Sequence, residues 1–170
     1  MELEHLGKRI AVVGVSASGK STFARKLAVK TGLPLTHVDA VMWKPGWDYI
    51  GDDATVKELT AISQRDTWLI EGFIDKNALA AVLGRADTIV YLDYPRHIPA
   101  LRYIKRWFMH RKNPRPELAG CPETFSFEFL KRVWDRKEVY RLNRYIKSMP
   151  DADKIIRLRN PKDAEKFLLG

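Results

Sequence analysis

One eight-residue segment near the N-terminus constrains this chain more than any other feature. Gly14 to Ser21 reads GVSASGKS and fits the phosphate-binding pattern G-x-x-x-x-G-K-[ST] at every specified position. Residues 9–13 before it are an apolar, β-branched run typical of a buried parallel strand. A helical pattern follows, with one apolar face made of Phe23, Ala24, Leu27 and Ala28. The order strand, glycine loop, helix predicts a phosphate site.

The residue types in this loop indicate a nucleotide with magnesium. Glycines let the backbone turn so that several N–H groups face one anion, and the following helix adds its positive end. Lys20 can reach the β- and γ-phosphates, and the Ser21 hydroxyl can ligate Mg²⁺. We therefore expect ATP, or alternatively GTP, to bind with Mg²⁺ at Gly14, Ser16, Ala17, Ser18, Gly19, Lys20, Ser21 and Thr22.

Length and cysteine content indicate the class of protein. A chain of 170 residues can bury one α/β core, so we expect a single domain over residues 1–170. The single cysteine, Cys121, excludes an intramolecular disulfide framework and a multi-cysteine zinc site. No signal peptide or membrane-spanning stretch is recognisable. These features predict a cytoplasmic protein without a membrane partner.

The positive charge is concentrated in one segment. The net charge is +9, and residues 96–148 hold 14 Lys and Arg against 5 Asp and Glu. Such a segment would suit a kinase whose arginines close over a nucleotide triphosphate. It would equally suit a protein that contacts the phosphates of duplex DNA. Composition alone leaves both hypotheses open.

Carboxylates follow several of the predicted strands. Apolar runs predict five strands, at residues 9–13, 33–38, 67–73, 88–95 and 154–158. Ligands bind beyond the carboxyl ends of open parallel sheets. We therefore expect Asp39 to orient or deprotonate an acceptor hydroxyl, and Glu71 to hold Mg²⁺ together with Ser21. Asp93 is a rival metal ligand, but the proline after it favours a structural role in the exit turn. His37 is expected to be buried and satisfied.

Residues 43–49 carry three aromatic side chains and two helix breakers, and we expect a loop there. Aromatic residues beside a phosphate site can stack on a planar or sugar-like substrate, or can close the edge of a core. Both roles stay open. Asp52 and Asp53 are expected to cap the helix that follows, and Asp75 to cap the next one.

The basic segment predicts a helix, a lid and a second helix. Arg102 and Arg106 are one helical turn apart, and breakers after residue 110 predict a mobile lid at about residues 111–124. A long helix is expected from Thr124 to about Lys147, with an apolar stripe of Phe129, Val133 and Tyr140 that Arg136 interrupts. Arg106, Arg115 and Arg136 are the predicted arginines that neutralise the transferred phosphoryl group, and Arg159 could border the base.

Taken together, these residues resemble the adenylate-kinase-like P-loop kinases, most closely the small DNA topology modulation proteins. The motifs are the glycine loop, His37-x-Asp39, Glu71-Gly72, Leu92-Asp93-x-Pro95, Arg115-Pro116, Cys121-Pro122-Glu123 and Leu158-Arg159-Asn160-Pro161. The resemblance implies a three-layer α/β P-loop NTPase fold with a five-stranded parallel sheet in the order 2-3-1-4-5 and an arginine-bearing lid.

The resemblance also has a departure that concerns the acceptor. Nucleoside monophosphate kinases have Asp-Gly-x-Pro-Arg where this chain has Glu71-Gly72-Phe73-Ile74-Asp75. Without that proline and arginine, the resemblance does not carry over a nucleoside monophosphate as the acceptor. We expect a small-molecule acceptor, which can be a nucleoside, a nucleotide or another hydroxyl compound. The alternatives are a nucleotide-switched protein that acts on DNA topology, and a plain ATPase.

Overall fold

The strands of the computed structural model, which describes residues 3–72, 76–111 and 113–170, form a five-stranded parallel sheet and a small hairpin. In chain order they are β1 (Arg9–Gly14), β2 (Leu35–His37), β3 (Trp43–Lys44), β4 (Asp48–Tyr49), β5 (Trp68–Glu71), β6 (Thr88–Leu92) and β7 (Ile155–Leu158). The sheet has the order β2-β5-β1-β6-β7, and β3 pairs with β4. Counted over the sheet strands alone, this is the order 2-3-1-4-5, so that prediction is confirmed.

Helices cover both faces of the sheet. They are α1 (Lys20–Thr31), α2 (Val38–Met42), α3 (Asp52–Ser63), α4 (Lys76–Arg85), α5 (His97–His110), α6 (Phe127–Asp135), α7 (Lys137–Lys147) and α8 (Pro161–Leu169), with 3₁₀ turns at Leu3–Leu6, Pro116–Leu118 and Ala152–Lys154. None of these helices combines the length and apolar character needed to cross a membrane.

The alternation of side chains along β1 produces the three layers. Ile10 and Val12 pack with the apolar face of α1 and α8, while Ala11 and Val13 pack with α3, α4 and α7. Successive residues of a strand point to opposite faces, so a continuous apolar run is needed when helices cover both. All four of these side chains are fully buried or nearly so. The predicted three-layer α/β fold is confirmed.

The register of the sheet brings the candidate residues to one edge. Val12 of β1 lies opposite Glu71 of β5, and Glu71 in turn lies opposite His37 of β2. Gly14 lies opposite Leu92, the last residue of β6. Because these strands are parallel, the phosphate loop and the acids that follow the strands share the carboxyl edge.

The prediction of one long helix from Thr124 to Lys147 is wrong. Two helices occupy this stretch, and Arg136 between them has φ of 54°, in the left-handed region. The break changes which residues are buried: Tyr140 is 68% exposed, whereas the buried face of α7 consists of Val139, Leu142 and Ile146, together with Glu138. A left-handed residue ends an α-helix, and here it is an arginine rather than the usual glycine.

Smaller differences occur around the other predicted elements. Residues 43–49 form the β3–β4 hairpin and not the expected irregular loop. Strands of two residues are too short to show an alternating pattern, so the sequence did not indicate them. Gly51 precedes α3, so that Asp52 and Asp53 lie in its first turn and are not its caps. The predicted cap Asp75 lies outside the described residues.

Gly72, directly after β5, gives a test of this packing. It has φ of +146°, and a Cβ there would lie 2.6 Å from Cβ of the buried Val38. We expect Gly72→Ala to lower the free energy of unfolding by about 1–3 kcal/mol more than Gly51→Ala, measured by urea denaturation. Gly51 is the matched control, since it also has a positive φ (+95°) but nothing within 4 Å of a built Cβ. Equal losses would contradict the packing argument.

Candidate active site

A cavity of about 1610 Å³ lies at the carboxyl edge of the sheet. The phosphate loop, α2, the β3–β4 hairpin, α5, the loop before α6 and α8 all contribute to its lining. The predicted site residues that line it are Ser16, Ala17, Gly19, Lys20, Ser21, Thr22, Asp39, Glu71, Arg106 and Arg115. Gly14, Ser18, Arg136 and Arg159 are not part of the lining.

The phosphate loop has the backbone geometry that its glycines predict. Gly14 and Gly19 have φ of 150° and 93°, and a Cβ on Gly14 would lie 2.6 Å from the carbonyl oxygen of Leu92. The absence of a side chain at Gly14 therefore lets the start of the loop pack closely against the end of β6. Lys20 is 8% exposed, and its Nζ donates a hydrogen bond to the carbonyl oxygen of Val15 at 3.0 Å. Its ammonium group thus lies folded over the loop.

A carboxylate from α7 binds the phosphate loop. The Ser16 N–H donates to Oε2 of Glu138 at 2.8 Å, and Ser16 Oγ donates to Oε1 at 3.0 Å. Glu138 is 8% exposed, and Nε of Arg132 lies 3.7 Å from its Oε1. The loop N–H therefore donates to an anionic oxygen, as backbone N–H groups at a helix N-terminus do. This contact could not be predicted from the sequence, because Glu138 is 122 residues from Ser16 and its position depends on the break at Arg136.

Arg102 is a second residue at the loop that the sequence analysis did not select. Its guanidinium donates a hydrogen bond to the carbonyl oxygen of Ser18 and lies over the ring of Tyr94 at 5.4 Å. A Cβ on Gly19 would lie 2.6 Å from Nη1 of Arg102, so the missing side chain admits the guanidinium. The sequence shows that Arg102 and Arg106 are one helical turn apart. It does not show that Arg102 is the one that contacts the phosphate loop.

Two carboxylates face the cavity near the loop. Glu71 is 3% exposed, and its Oε1 lies 2.5 Å from Nδ1 of His37, which is therefore satisfied as expected. Asp39, in the first turn of α2, lines the cavity and lies 3.9 Å from Nη1 of Arg115. Surrounding protein atoms disfavour its charge and raise the pKa of Asp39, while Lys20 and Arg115 oppose that shift.

Asp93 is occupied away from the cavity. It forms ion pairs with Arg136 and with Arg157, the latter at 3.6 Å, and the Tyr91 hydroxyl donates to it at 3.3 Å. Arg136 thus takes Asp93 as its partner and does not enter the cavity, which departs from its expected position. The structural interpretation of Asp93 agrees with these contacts.

Arg159 also lies apart from the cavity. Its backbone N–H donates to Oδ2 of Asp163 at 3.1 Å, and its side chain is exposed. The cavity is lined nearby by Tyr94, which follows β6, and by Pro161, Ala164 and Leu168 of α8.

The predicted lid arginines form a buried ionic cluster. Nε of Arg115 lies 2.7 Å, and Nε of Arg106 3.2 Å, from Oε1 of Glu123, which is 6% exposed. Nη1 of Arg115 is also 3.6 Å from Oε1 of Glu117, and Oε2 of Glu117 lies 2.9 Å from Nη1 of Arg25. Burial and the neighbouring Arg115 lower the pKa of Arg106. The cations of this cluster therefore already have carboxylate partners.

The β3–β4 hairpin contacts the loop that precedes α6. The N–H of Gly46 donates to the carbonyl oxygen of Gly120 at 2.8 Å, and Nε1 of Trp47 donates to that of Pro122 at 2.9 Å. The thiol of Cys121 lies 3.2 Å from the carbonyl oxygen of Lys44. Trp43 and Trp47, with ring centroids 5.5 Å apart, line the cavity beside this contact.

The oxygen donors of the cavity fit a magnesium ion that arrives with phosphates. Within the described residues there is no group of three or more His, Cys, Asp or Glu side chains able to hold a metal ion alone. Mg²⁺ in phosphate-transfer sites is bound by one or two carboxylates plus substrate phosphates. Ser21, Asp39 and Glu71, which supply one hydroxyl and two carboxylates, all line the cavity.

Half of the cations of the basic segment, seven of its 14 Lys and Arg, line this cavity. Of the Lys and Arg in residues 96–148, the cavity is lined by Arg102, Lys105, Arg106, Arg115, Arg132, Lys137 and Arg141. A surface that tracks duplex DNA presents its cations outward to phosphates. These seven side chains therefore contribute to the positive potential of the cavity.

Comparison with solved structures identifies the fold as that of the P-loop kinases. A gluconokinase from Sinorhizobium meliloti 1021 is 19% identical with a TM-score of 0.54, over 97% of this chain and 93% of that chain. A sugar kinase from Janibacter sp. is 19% identical with a TM-score of 0.58, over 96% and 93%. The shikimate kinase of Aquifex aeolicus is 20% identical with a TM-score of 0.56, over 95% and 94%. No family model matches the sequence, and the curated proteins give no significant match.

The Glu138 contact predicts an effect on nucleotide affinity. Its carboxylate occupies the Ser16 N–H and would lie close to bound phosphates, so its removal should relieve both competition and charge repulsion. We expect Glu138→Ala to tighten ATP–Mg²⁺ binding about tenfold, measured by calorimetry. Glu58→Ala on the exposed face of α3 is the control and should bind ATP like the native protein. Unchanged or weaker binding in Glu138→Ala would contradict the competition.

Proposed function

We propose that this protein transfers the γ-phosphoryl group of ATP to a small-molecule acceptor. One observation carries the proposal: a glycine-rich phosphate loop and Asp39 line the same cavity, under a loop that bears Arg115. Phosphoryl transfer needs positioning and charge stabilisation more than covalent catalysis, and this cavity offers both.

The phosphate half of the cavity would hold the nucleotide. Backbone N–H groups of the loop bind the phosphates, Lys20 leaves the carbonyl oxygen of Val15 to contact them, and Arg102 lies beside the loop at Ser18. Ser21 and Glu71 would hold Mg²⁺, which would neutralise negative charge on the phosphates. GTP is the alternative donor.

Asp39 would act on the acceptor. It orients the acceptor hydroxyl and takes its proton as the oxygen–phosphorus bond forms and the bond to the leaving β-phosphate oxygen breaks. Arg106 and Arg115 lie at the same end of the cavity and would stabilise the charge of the transferred group. The loop at residues 111–124 would open for substrates and close to exclude water.

The comparisons support the kinase class, since the similar structures are described as gluconokinase, sugar kinase and shikimate kinase. A closer relation to the DNA topology modulation proteins, suggested by the short motifs of the sequence, is part of the proposal. So is a cytoplasmic location, which the single cysteine favours.

The DNA-binding alternative has less support. The basic segment lines the cavity with seven of its cationic side chains, and several others have carboxylate or aromatic partners, for example Arg136 with Asp93 and Arg96 over Trp134. No contact among the described residues favours duplex DNA over a nucleotide. A plain ATPase would release phosphate equally well without any acceptor, and an acceptor screen separates it from a kinase.

Lys20→Ala tests the phosphate half. Because the ammonium group is the charge that reaches the phosphates, we expect ATP turnover to fall at least about a hundredfold. Circular dichroism should show the native fold. Lys57→Ala, an exposed lysine of α3, is the matched control and should turn over ATP normally. A Lys20→Ala variant with native turnover would refute the proposed site.

Asp39→Asn tests the acceptor half. An amide accepts no proton, so we expect kcat to fall by at least about a hundredfold, with a smaller change in KM. The raised pKa of Asp39 places the acidic limb of the native kcat–pH profile above the usual aspartate range, because the base must be ionised, and the variant should lose this limb. Asp53→Asn, exposed on α3, is the control. A larger effect on KM than on kcat would indicate that Asp39 only binds the acceptor.

A further inference from the structure

The acceptor end of the cavity has a chemical character that narrows the substrate class, provided that the proposed kinase function holds. We define the acceptor pocket as the part of the cavity lined by Asp39, Trp43, Trp47, Arg106 and Arg115. Two features of this pocket bear on its ligand: how its charges are paired, and what its uncharged wall is made of.

The arginines and the acids in and around this pocket are equal in number. Arg106 and Arg115 share Glu123, at 3.2 Å and 2.7 Å, and Arg25 pairs with Glu117 at 2.9 Å. With Asp39, 3.9 Å from Arg115, the cluster holds three guanidinium groups and three carboxylates. Glu117 and Glu123 are 5% and 4% exposed at their side chains, so solvent does not screen them as it screens surface acids.

This pairing disfavours an anionic acceptor. A site that recognises a carboxylate or phosphate usually offers an unpaired arginine in bidentate geometry. Here the two arginines nearest Asp39 already contact Glu123. A second anion would have to compete with that buried carboxylate and would lie near Asp39, Glu117 and the incoming triphosphate, all of which repel it.

The remaining wall of the pocket is aromatic. Trp43 and Trp47 line it from the hairpin, with ring planes at 77° to each other, and both are partly exposed to the cavity. Met42 at the end of α2 continues this surface. Aromatic rings with one free face bury the apolar face of a flat or ring-shaped ligand, while a few polar groups fix its orientation.

We infer that the acceptor is an uncharged, ring-shaped hydroxyl compound, of the nucleoside or cyclic sugar type, whose apolar surface contacts the edge-to-face pair of tryptophans. Its reacting hydroxyl faces Asp39, and its other hydroxyls reach the carboxylates and guanidinium groups of the cluster. Glu123 and Glu117 thereby determine specificity: they neutralise the arginines that would otherwise select an anion.

Matched pairs of acceptors test this inference. ADP formation is measured with ATP–Mg²⁺ and glucose or glucuronate, ribose or ribose 5-phosphate, and adenosine or AMP. We expect at least one neutral member to be phosphorylated with a kcat/KM more than about tenfold above that of its anionic partner. The identity of that member distinguishes a nucleoside from a sugar. Preference for the anionic members, or no turnover with any neutral member, would overturn the inference.

Glu123→Gln tests whether the Glu123 carboxylate causes the preference for neutral acceptors. Removing this charge leaves Arg106 and Arg115 in excess, so the ratio of kcat/KM for the neutral over the anionic member should fall at least about tenfold. Glu117→Gln should act in the same direction and serves if Glu123→Gln does not fold. Glu58→Gln is the matched control, and its ratio should equal the native one. A ratio that stays constant in a folded Glu123→Gln or Glu117→Gln protein would overturn the assigned role.

These outcomes can be separated from a failure of the proposed function. If the protein phosphorylates only anionic acceptors, and Lys20→Ala abolishes that activity, the kinase assignment holds and the inference about the acceptor is wrong. If ATP–Mg²⁺ shifts neither the calorimetric signal nor the melting temperature, the kinase assignment itself fails, and the inference fails with it.

Discussion

The parallel pairing of β1 with its two neighbours is the constraint on which the remaining structure depends. It places Val12 beside Glu71 and Gly14 beside Leu92, so that the phosphate loop, the Glu71 carboxylate and the turn after β6 lie at one edge. The helices on the two faces bury the three central strands, β1, β5 and β6, almost completely, and a register slip would move their buried side chains to the wrong face. The cavity lies at this edge because the segments that follow the strands surround it there.

Within that cavity several charges are paired, and this explains how arginines of the basic segment can lie partly buried there. Glu123 lies between two arginines, Arg102 contacts a carbonyl oxygen of the phosphate loop, and Glu138 takes the Ser16 N–H. An unpaired buried guanidinium would be costly, whereas a paired one is tolerated. Substrates therefore meet a polar network that is already ordered, and they bind by exchanging partners within it.

The fold could be predicted largely from sequence, because the glycine loop and the apolar runs are local patterns. The order of the sheet and the positions of Asp39 and Glu71 at its edge followed from those patterns and from the resemblance. The helix break at Arg136 could not be predicted, since a left-handed arginine has no local signature, and with it the partner of Asp93 was missed. The contact of Glu138 with Ser16 links residues far apart in the chain, so it depends on tertiary packing alone.

The joint between the β3–β4 hairpin and the loop before α6 has a consequence for divergence among relatives. Two of its three contacts use main-chain carbonyl oxygens of that loop, at Gly120 and Pro122. These two bonds do not depend on side chains of the loop, but Gly120 itself is constrained, because it has φ of +78° and a Cβ there would lie 2.7 Å from Cβ of Pro45. A single inserted or deleted residue would shift both carbonyl groups out of reach. Loop length and the glycine at position 120 are the properties that selection would have to keep constant there.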